Sequence, residues 1–289
     1  MEIRSETGNK KRFLPLLLIG DEQEEMIDRY LPAGNLYVGS VAGRDIAVCV
    51  TSQNEDGTLE INNIAVLPSF QGKGYGKEMM RWIEKQYPGR IIRLGTGETP
   101  STLNFYKACG FSFSHRITDF FTEHYDHEIR EEGIVLKDMI CFQKDTAIRE
   151  VTDSGQWSEL LSIWEAAVRD SHHFLSEEDI AFFRTKIPAE YLPHLTVFGI
   201  ADEQNALCGF LALSDTMIEM LFVHPSAKGR GYGTRLLRYA TDAKGMRQVD
   251  VNEQNPQALR FYQSRGFKIT GREATDPSGK PFPILHMSL

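Results

Sequence analysis

The 289-residue chain is short of several things that would place it in a common function class. Its four cysteines, Cys49, Cys109, Cys141 and Cys208, show no C-x-x-C spacing. That excludes a cysteine zinc site and a redox pair, and the four read as free thiols of a reducing, cytoplasmic compartment. Basic residues are outnumbered, 32 against 40 acidic, for a net charge of −8 without a basic stripe. Nucleic acid is therefore not expected as a partner. Long apolar runs are missing too. The most apolar stretch, Phe13 to Gly20, contains a proline and runs into Asp21-Glu22-Gln23-Glu24-Glu25 without a small-residue cleavage site. It is too short to span a membrane, lacks the marks of a signal core, and reads as the start of a buried helix. His172 and His173 are adjacent with no third ligand in view, so no metal is expected.

What the chain does have is one phrase used twice. Val66-Leu67-Pro68-Ser69-Phe70-Gln71-Gly72-Lys73-Gly74-Tyr75-Gly76 returns as Val223-His224-Pro225-Ser226-Ala227-Lys228-Gly229-Arg230-Gly231-Tyr232-Gly233. A second anchor follows each copy: Phe105-Tyr106 with Cys109-Gly110-Phe111, then Phe261-Tyr262 with Arg265-Gly266-Phe267. The offset from Pro68 to Pro225 is 157 and from Tyr106 to Tyr262 is 156, so two anchors repeat in register with a one-residue gap. Such duplication marks two copies of one domain, 1–145 and 146–289, joined near Lys144-Asp145-Thr146 without a Pro/Gly/Ser linker.

Each copy places a Gly-rich turn between an apolar strand pattern, 60–66 and 218–223, and a helix pattern, 75–86 and 232–243; 207–213 reads as the preceding strand of the second copy, and Ser176 to Asp179 resembles a capping box. The first turn of a helix leaves N–H groups unpaired at the positive end of its dipole, and glycines let the backbone approach phosphate oxygens closely. Lys73, Lys77, Arg230 and Arg235 would add positive charge nearby. The P-loop pattern fails, because Gln71 stands where its first glycine belongs and Glu78 where Ser or Thr belongs. The dinucleotide pattern fails as well, at Lys77 and Thr234.

The turn that does fit is Q/R-x-x-G-x-G/A, and on this turn and the second anchor each half resembles the GNAT superfamily of acetyl-CoA-dependent N-acetyltransferases. Gln71 to Gly76 matches it fully; Lys228 to Gly233 departs only in the lysine at the first position. The resemblance implies an α+β (mixed α/β) fold: two domains, each a mostly antiparallel mixed sheet flanked by helices, with a splayed fourth strand. It implies acetyl-CoA as the cofactor, with the pantetheine arm pairing along Ile64 and Val66 in the first domain and along Leu221 and Val223 in the second. The pyrophosphate would lie on Gln71, Gly72, Lys73, Gly74, Tyr75, Gly76 and Lys77, and on Lys228, Gly229, Arg230, Gly231, Tyr232, Gly233 and Thr234. Asn255 fits the family's CoA-contacting asparagine, and Thr99 takes that place in the first domain.

Acetyl transfer to an amine needs a proton donor for the departing thiolate and an acceptor for the amine's proton. The resemblance gives the first role to Tyr106 and Tyr262, whose phenols have an ordinary pKa not far from that of a thiol. For the second, Asp250 occupies the family's carboxylate position, five residues before Asn255. Leu94 falls at the matching place in the first domain, so another group is needed there. Glu60 and Asp119 are candidates, and Glu219 is the fourth-strand candidate of the second domain. Acceptor residues differ between the halves: His172, His173 and Phe174 in the second, the aromatic-acidic run with Asp119, Phe121 and His124 in the first. Both segments are similar to uncharacterised bacterial acetyltransferase families. The expected acceptor is a small-molecule amine, towards which the acidic composition leans. A protein N-acetyltransferase, or a CoA-binding sensor or scaffold with one or both domains inactive, are the alternatives.

Overall fold

Strand-period alternation decides which helices cover which face. In the hairpin of 36–51, Leu36, Val38, Val48 and Val50 turn one way, onto Leu16, Leu17, Ile27 and Leu31; Tyr37, Ala47 and Cys49 turn the other way, onto Met79, Met80 and Ile83. A sheet apolar on both faces must be covered on both, and each half of this chain is built so. The computed structural model describes residues 1–289, which divide into two compact units, Met1–Thr146 and Ala147–Leu289.

The first unit runs β1 (Glu2–Glu6), α1 (Leu14–Leu17), α2 (Glu24–Tyr30), β2 (Asn35–Val41), β3 (Arg44–Gln53), β4 (Leu59–Val66), α3 (Tyr75–Gln86), β5 (Ile91–Gly97), α4 (Pro100–Ala108), β6 (Ser112–Ile117), α5 (Phe120–His124), β7 (Arg130–Glu131), β8 (Ile134–Val135) and β9 (Met139–Asp145). The second runs β10 (Ile148–Glu150), α6 (Trp157–Ser171), α7 (Glu177–Lys186), β11 (Thr196–Ala201), β12 (Leu207–Leu213), β13 (Ile218–Val223), α8 (Tyr232–Arg238), β14 (Gln248–Asn252), α9 (Pro256–Gln263), β15 (Lys268–Glu273) and β16 (Ile284–Ser288). The sheet orders are β1-β2-β3-β4-β5-β9-β6 and β10-β11-β12-β13-β14-β16-β15, the same topology twice. Every pairing within them is antiparallel except β4 with β5 and β13 with β14. These are mixed, mostly antiparallel sheets flanked by helices.

Two local features open a site in each sheet. The first is a bulge, one extra residue that bends its strand. Val50 pairs with Asn63 but Thr51 with Ile61, leaving Asn62 extra; Ala212 pairs with Met220 but Leu213 with Ile218, leaving Glu219 extra. The second is a splay. β4 and β5 pair only from Leu59–Ile92 to Ile61–Leu94, and β13 pairs β14 only at Ile218–Val249. Beyond those pairs the parallel neighbours diverge and leave a V-shaped opening.

Some elements depart from the sequence expectation. The helix expected over 232–243 is α-helical only through Arg238. Tyr239–Ala243 forms a π turn in which Lys244 N–H donates to Tyr239 C=O, five residues back. Met139 and Ile140 open strand β9, which bridges β5 and β6, and Asp138 lies just before it. The capping box expected at Ser176 is present, with Ser176 and Asp179 bonding reciprocally.

Candidate functional site

The second unit holds a cleft of about 480 Å³ where β13 and β14 part. One wall is Met220, Leu221, Phe222 and Val223; the other is Val249, Asp250, Val251 and Asn252. The floor runs from the Gly-rich turn to Asn255 and Tyr262 on α9. Gly231 is the N-cap of α8 at φ 83°, and Gly229 has φ 78°. Both are left-handed positions that favour glycine, and a Cβ on either would project into open space. Gly233 serves packing instead: a Cβ there would touch the Phe261 ring at 3.5 Å. The first unit repeats the turn, with Gly72 at φ 71° and Gly74 at φ 89° as N-cap of α3, and Gly76 lying against Phe105. Open space in front of α-helix N–H groups is what a pyrophosphate needs, so both turns fit acetyl-CoA.

The side chains around the turns do more structural work than their charges suggested. Gln71 Nε2 donates to Val66 C=O at 2.9 Å, tying the turn to the end of β4. Lys73 donates to Ser69 C=O at 2.9 Å, and Lys228 is ion-paired with Asp170. Tyr75 packs on Phe70, and the Arg235 guanidinium lies over the ring of Tyr232. Lys77 and Arg230 are exposed beside their turns, and Thr234 lines the cleft. Arg265 was not singled out in the sequence. It lines the cleft, donates to Thr234 Oγ1 at 2.6 Å, and stacks over Phe261 at 3.8 Å. Its place in the first unit is Cys109, whose carbonyl is bonded by Lys144 at 2.8 Å.

Tyr106 and Tyr262 are 8% and 6% exposed, each edge-on to the phenylalanine of its Gly-Phe anchor. Burial pushes both phenols up, and Cys49, Cys109 and Glu131 add to this at Tyr106, so both are protonated donors at neutral pH. Asn255 caps α9: its Oδ1 accepts from Ala258 N–H at 3.0 Å. Its Nδ2 lies 3.4 Å from His172 Nε2. Ser171 Oγ donates to Ala167 C=O and lies 2.9 Å from His172 Nδ1. That places the ring proton on Nδ1 and leaves Nε2 to accept from Asn255. Burial, then Lys228 and His173, pushes His172 down to about 4, so the ring is neutral. Phe174 and Phe222 flank it, and Phe174 also meets Phe282 from the β15–β16 connection at 5.6 Å. His173 is exposed.

A neutral, half-buried histidine makes stability depend on acid. The folded value lies below the ordinary 6.5, so on acidification the unfolded chain binds the proton first and stability falls. Between pH 6.5 and about 4 the second unit should lose up to about 3 kcal/mol. Scanning calorimetry of His172→Gln should show a flatter pH dependence; an unchanged slope would rule out this origin.

Strand register corrects the carboxylate assignments. Ile61 pairs with Leu94, and Ile218 with Val249, so the first-unit counterpart of Asp250 is Gly95, not Leu94. The two copies are 157 apart in β4 (218 − 61), 155 in β5 (249 − 94) and 156 in α4 (262 − 106), so the gaps fall in the loops between. The counterpart of Glu219 at the bulge is Asn62. Glu219 and Asp250 both line the second cleft, and Asp250 Oδ1 bonds His286 Nδ1 at 2.7 Å, which pulls the imidazole up. Gly95 leaves no room for a side chain, since a Cβ would meet Met139 Sδ at 2.2 Å. Glu60 pairs across to Arg93 where β4 and β5 are still joined; burial raises its carboxyl.

In the first unit residues 118–138 form a strap between β6 and β9, longer than the 274–283 connection between β15 and β16 in the second. Asp119 is the exposed N-cap of α5 at φ 54°, and its N–H donates to Asp138. Phe121 packs with Ile129 and Leu136 inside the strap, and His124 stacks on Phe120 at 4.5 Å. Tyr125 donates to half-buried Asp21 at 3.0 Å, which also takes Tyr30 at 3.3 Å. Thr99, fully buried as N-cap of α4, shares a 2.7 Å bond with Thr102 and meets Glu131 Oε2 at 3.4 Å.

Known proteins resemble the chain over each half. The profile of the acetyltransferase (GNAT) domain matches residues 32–113 and again 193–269. The chain is 36% identical over 133 residues to the peptidyl-lysine N-acetyltransferase YjaB of Escherichia coli, a match covering 45% of this chain and 88% of that protein. It is 35% identical over 149 residues to the uncharacterised N-acetyltransferase YvbK of Bacillus subtilis, covering 50% and 95%. A solved Bacillus subtilis acetyltransferase in complex with CoA is 33% identical, covers 50% of this chain and 97% of its own, and gives a TM-score of 0.46.

Proposed function

The chain belongs to the acetyltransferase (GNAT) domain family and is an acetyl-CoA-dependent N-acetyltransferase, and from that premise we propose that each unit is a separate transfer site for small primary amines. The observation that carries the reading is the continuous cleft of the second unit, which joins the Gly-rich turn, two carboxylates and a buried tyrosine. Bound acetyl-CoA supplies the acetyl thioester. The N–H groups at Gly229 to Gly233 and Gly72 to Gly76 hold its pyrophosphate, with Arg265 adding a cation in the second unit. The unpaired edges at Leu221 and Val223, and at Ile64 and Val66, take the pantetheine arm. Asp250, aligned by His286, and Glu219 at the bulge remove the amine's proton in the second unit. Tyr262 and Tyr106 return a proton to the leaving sulfur.

Small acceptors are favoured by what closes each acceptor side. In the second unit this is the aromatic group of His172, Phe174 and Phe282, held by the Lys280–Asp179 ion pair; in the first it is the 118–138 strap. The relatives named as peptidyl-lysine N-acetyltransferases favour a second reading, a lysine side chain of a protein. A thiol-release assay with acetyl-CoA separates them. Small primary amines should outrun a lysine peptide by about tenfold or more in kcat/KM. A preference for the peptide would carry the second reading. A cytoplasmic setting fits four unpaired cysteines, and no helix is long and apolar enough to cross a membrane.

A further inference from the structure

The first unit lacks both carboxylates that line the second cleft: Asn62 stands at the bulge and Gly95 on β5, with Met139 filling the space in front of it. It still has a buried tyrosine and a complete turn. A carboxylate does approach the tyrosine-bearing helix of this unit, at its N-cap. Glu131, on β7 of the strap, reaches the N-cap of α4, where its Oε2 lies 3.4 Å from Thr99 Oγ1, on the helix that carries Tyr106. The second unit puts His172 in the equivalent spot, 3.4 Å from the N-cap Asn255 of α9. Each unit thus brings one proton-accepting group from a peripheral loop to the N-cap of the tyrosine-bearing helix. One group is anionic when ionised; the other is neutral and set among aromatic rings.

Resting on the two-site reading, we infer that Glu131 is the first unit's catalytic carboxylate and makes that unit selective for acceptors carrying positive charge. An ammonium acceptor gives one proton to the Glu131 carboxylate: an N–H bond breaks, an O–H bond forms, and the nitrogen keeps the lone pair it needs to attack. Burial, Glu22 from the α1–α2 loop and Glu132 hold the carboxyl above its ordinary value, which suits a group that takes and returns a proton. Asp21, Tyr125 and Tyr30 form a second polar cluster that joins the strap to the α1–α2 side.

The test uses the full chain carrying Gly231→Glu, which silences the second unit. Thiol release is followed with 1,4-diaminobutane and with 2-phenylethylamine. Adding Glu131→Gln should lower kcat for the diamine by roughly 100-fold at pH 7, with acetyl-CoA affinity unchanged within about twofold. The deficit should shrink as pH rises towards the amine's own pKa, because neutral amine needs no base. Glu131→Asp should restore part of the rate. A Gln variant as fast as its parent, or one whose loss is the same at every pH, overturns the role. So does a first unit that binds acetyl-CoA but turns over no amine, although donor binding there would stand. Failure of the Gly231→Glu chain to bind any acetyl-CoA would instead count against the two-site reading.

Discussion

Replacing Gly231 by glutamate should remove one of two acetyl-CoA molecules bound per chain and leave the other untouched. Gly231 caps α8 at φ 83°, and the space in front of its Cα is open. A carboxylate placed there meets the diphosphate head-on, in the positive field of the helix end that would otherwise hold it. The left-handed backbone adds a strain of about 1–2 kcal/mol, a minor part of a domain's typical stability of about 5–15 kcal/mol. The second unit should therefore stay folded while its donor binding falls below detection. Calorimetric titration with acetyl-CoA, with a thermal scan alongside, reads both. Unchanged stoichiometry in a folded variant would show that the turn does not hold the diphosphate.

Tyr262→Phe has the next largest expected effect. The phenol is buried at the floor of the cleft, and burial keeps it protonated. Removing one oxygen keeps the ring contact with Phe267 and the packing of α9. Turnover by the second unit should fall about 10- to 100-fold, the lower part of the range for losing a general acid. Acetyl-CoA affinity should hardly move, because the proton is needed only as the sulfur departs. The measurement uses an apolar amine such as 2-phenylethylamine in a chain carrying Gly74→Glu, which silences the first unit by the same logic as Gly231→Glu. Equal turnover in the two proteins would make Tyr262 a packing residue.

The fold was legible because its signals are local and repeated. The strands over 207–213 and 218–223 and the helix over 75–86 stand where alternation and helical period put them. The glycines of both turns promised close approach of the backbone to a ligand, and the structure adds left-handed backbone at Gly72, Gly74, Gly229 and Gly231. The site was less legible, for reasons of register. Offsets of 157, 155 and 156 along successive elements cannot all be placed without knowing which strands pair, so the counterpart of Asp250 was read as Leu94 where the register gives Gly95. Glu131 gave no sequence signal at all, since its partner Thr99 lies 32 residues away and only the strap's folding brings them together. Arg265 stood in plain view inside the second anchor. What hid it was the mismatch with Cys109, which made it look like an unconstrained position.

The central claim is that one chain carries two independent donor sites. Isothermal titration of the unaltered protein with acetyl-CoA tests it most directly. The two Gly-rich turns, with matching backbone angles in matching sheets, predict two equivalents per chain. One equivalent, or none, would contradict it.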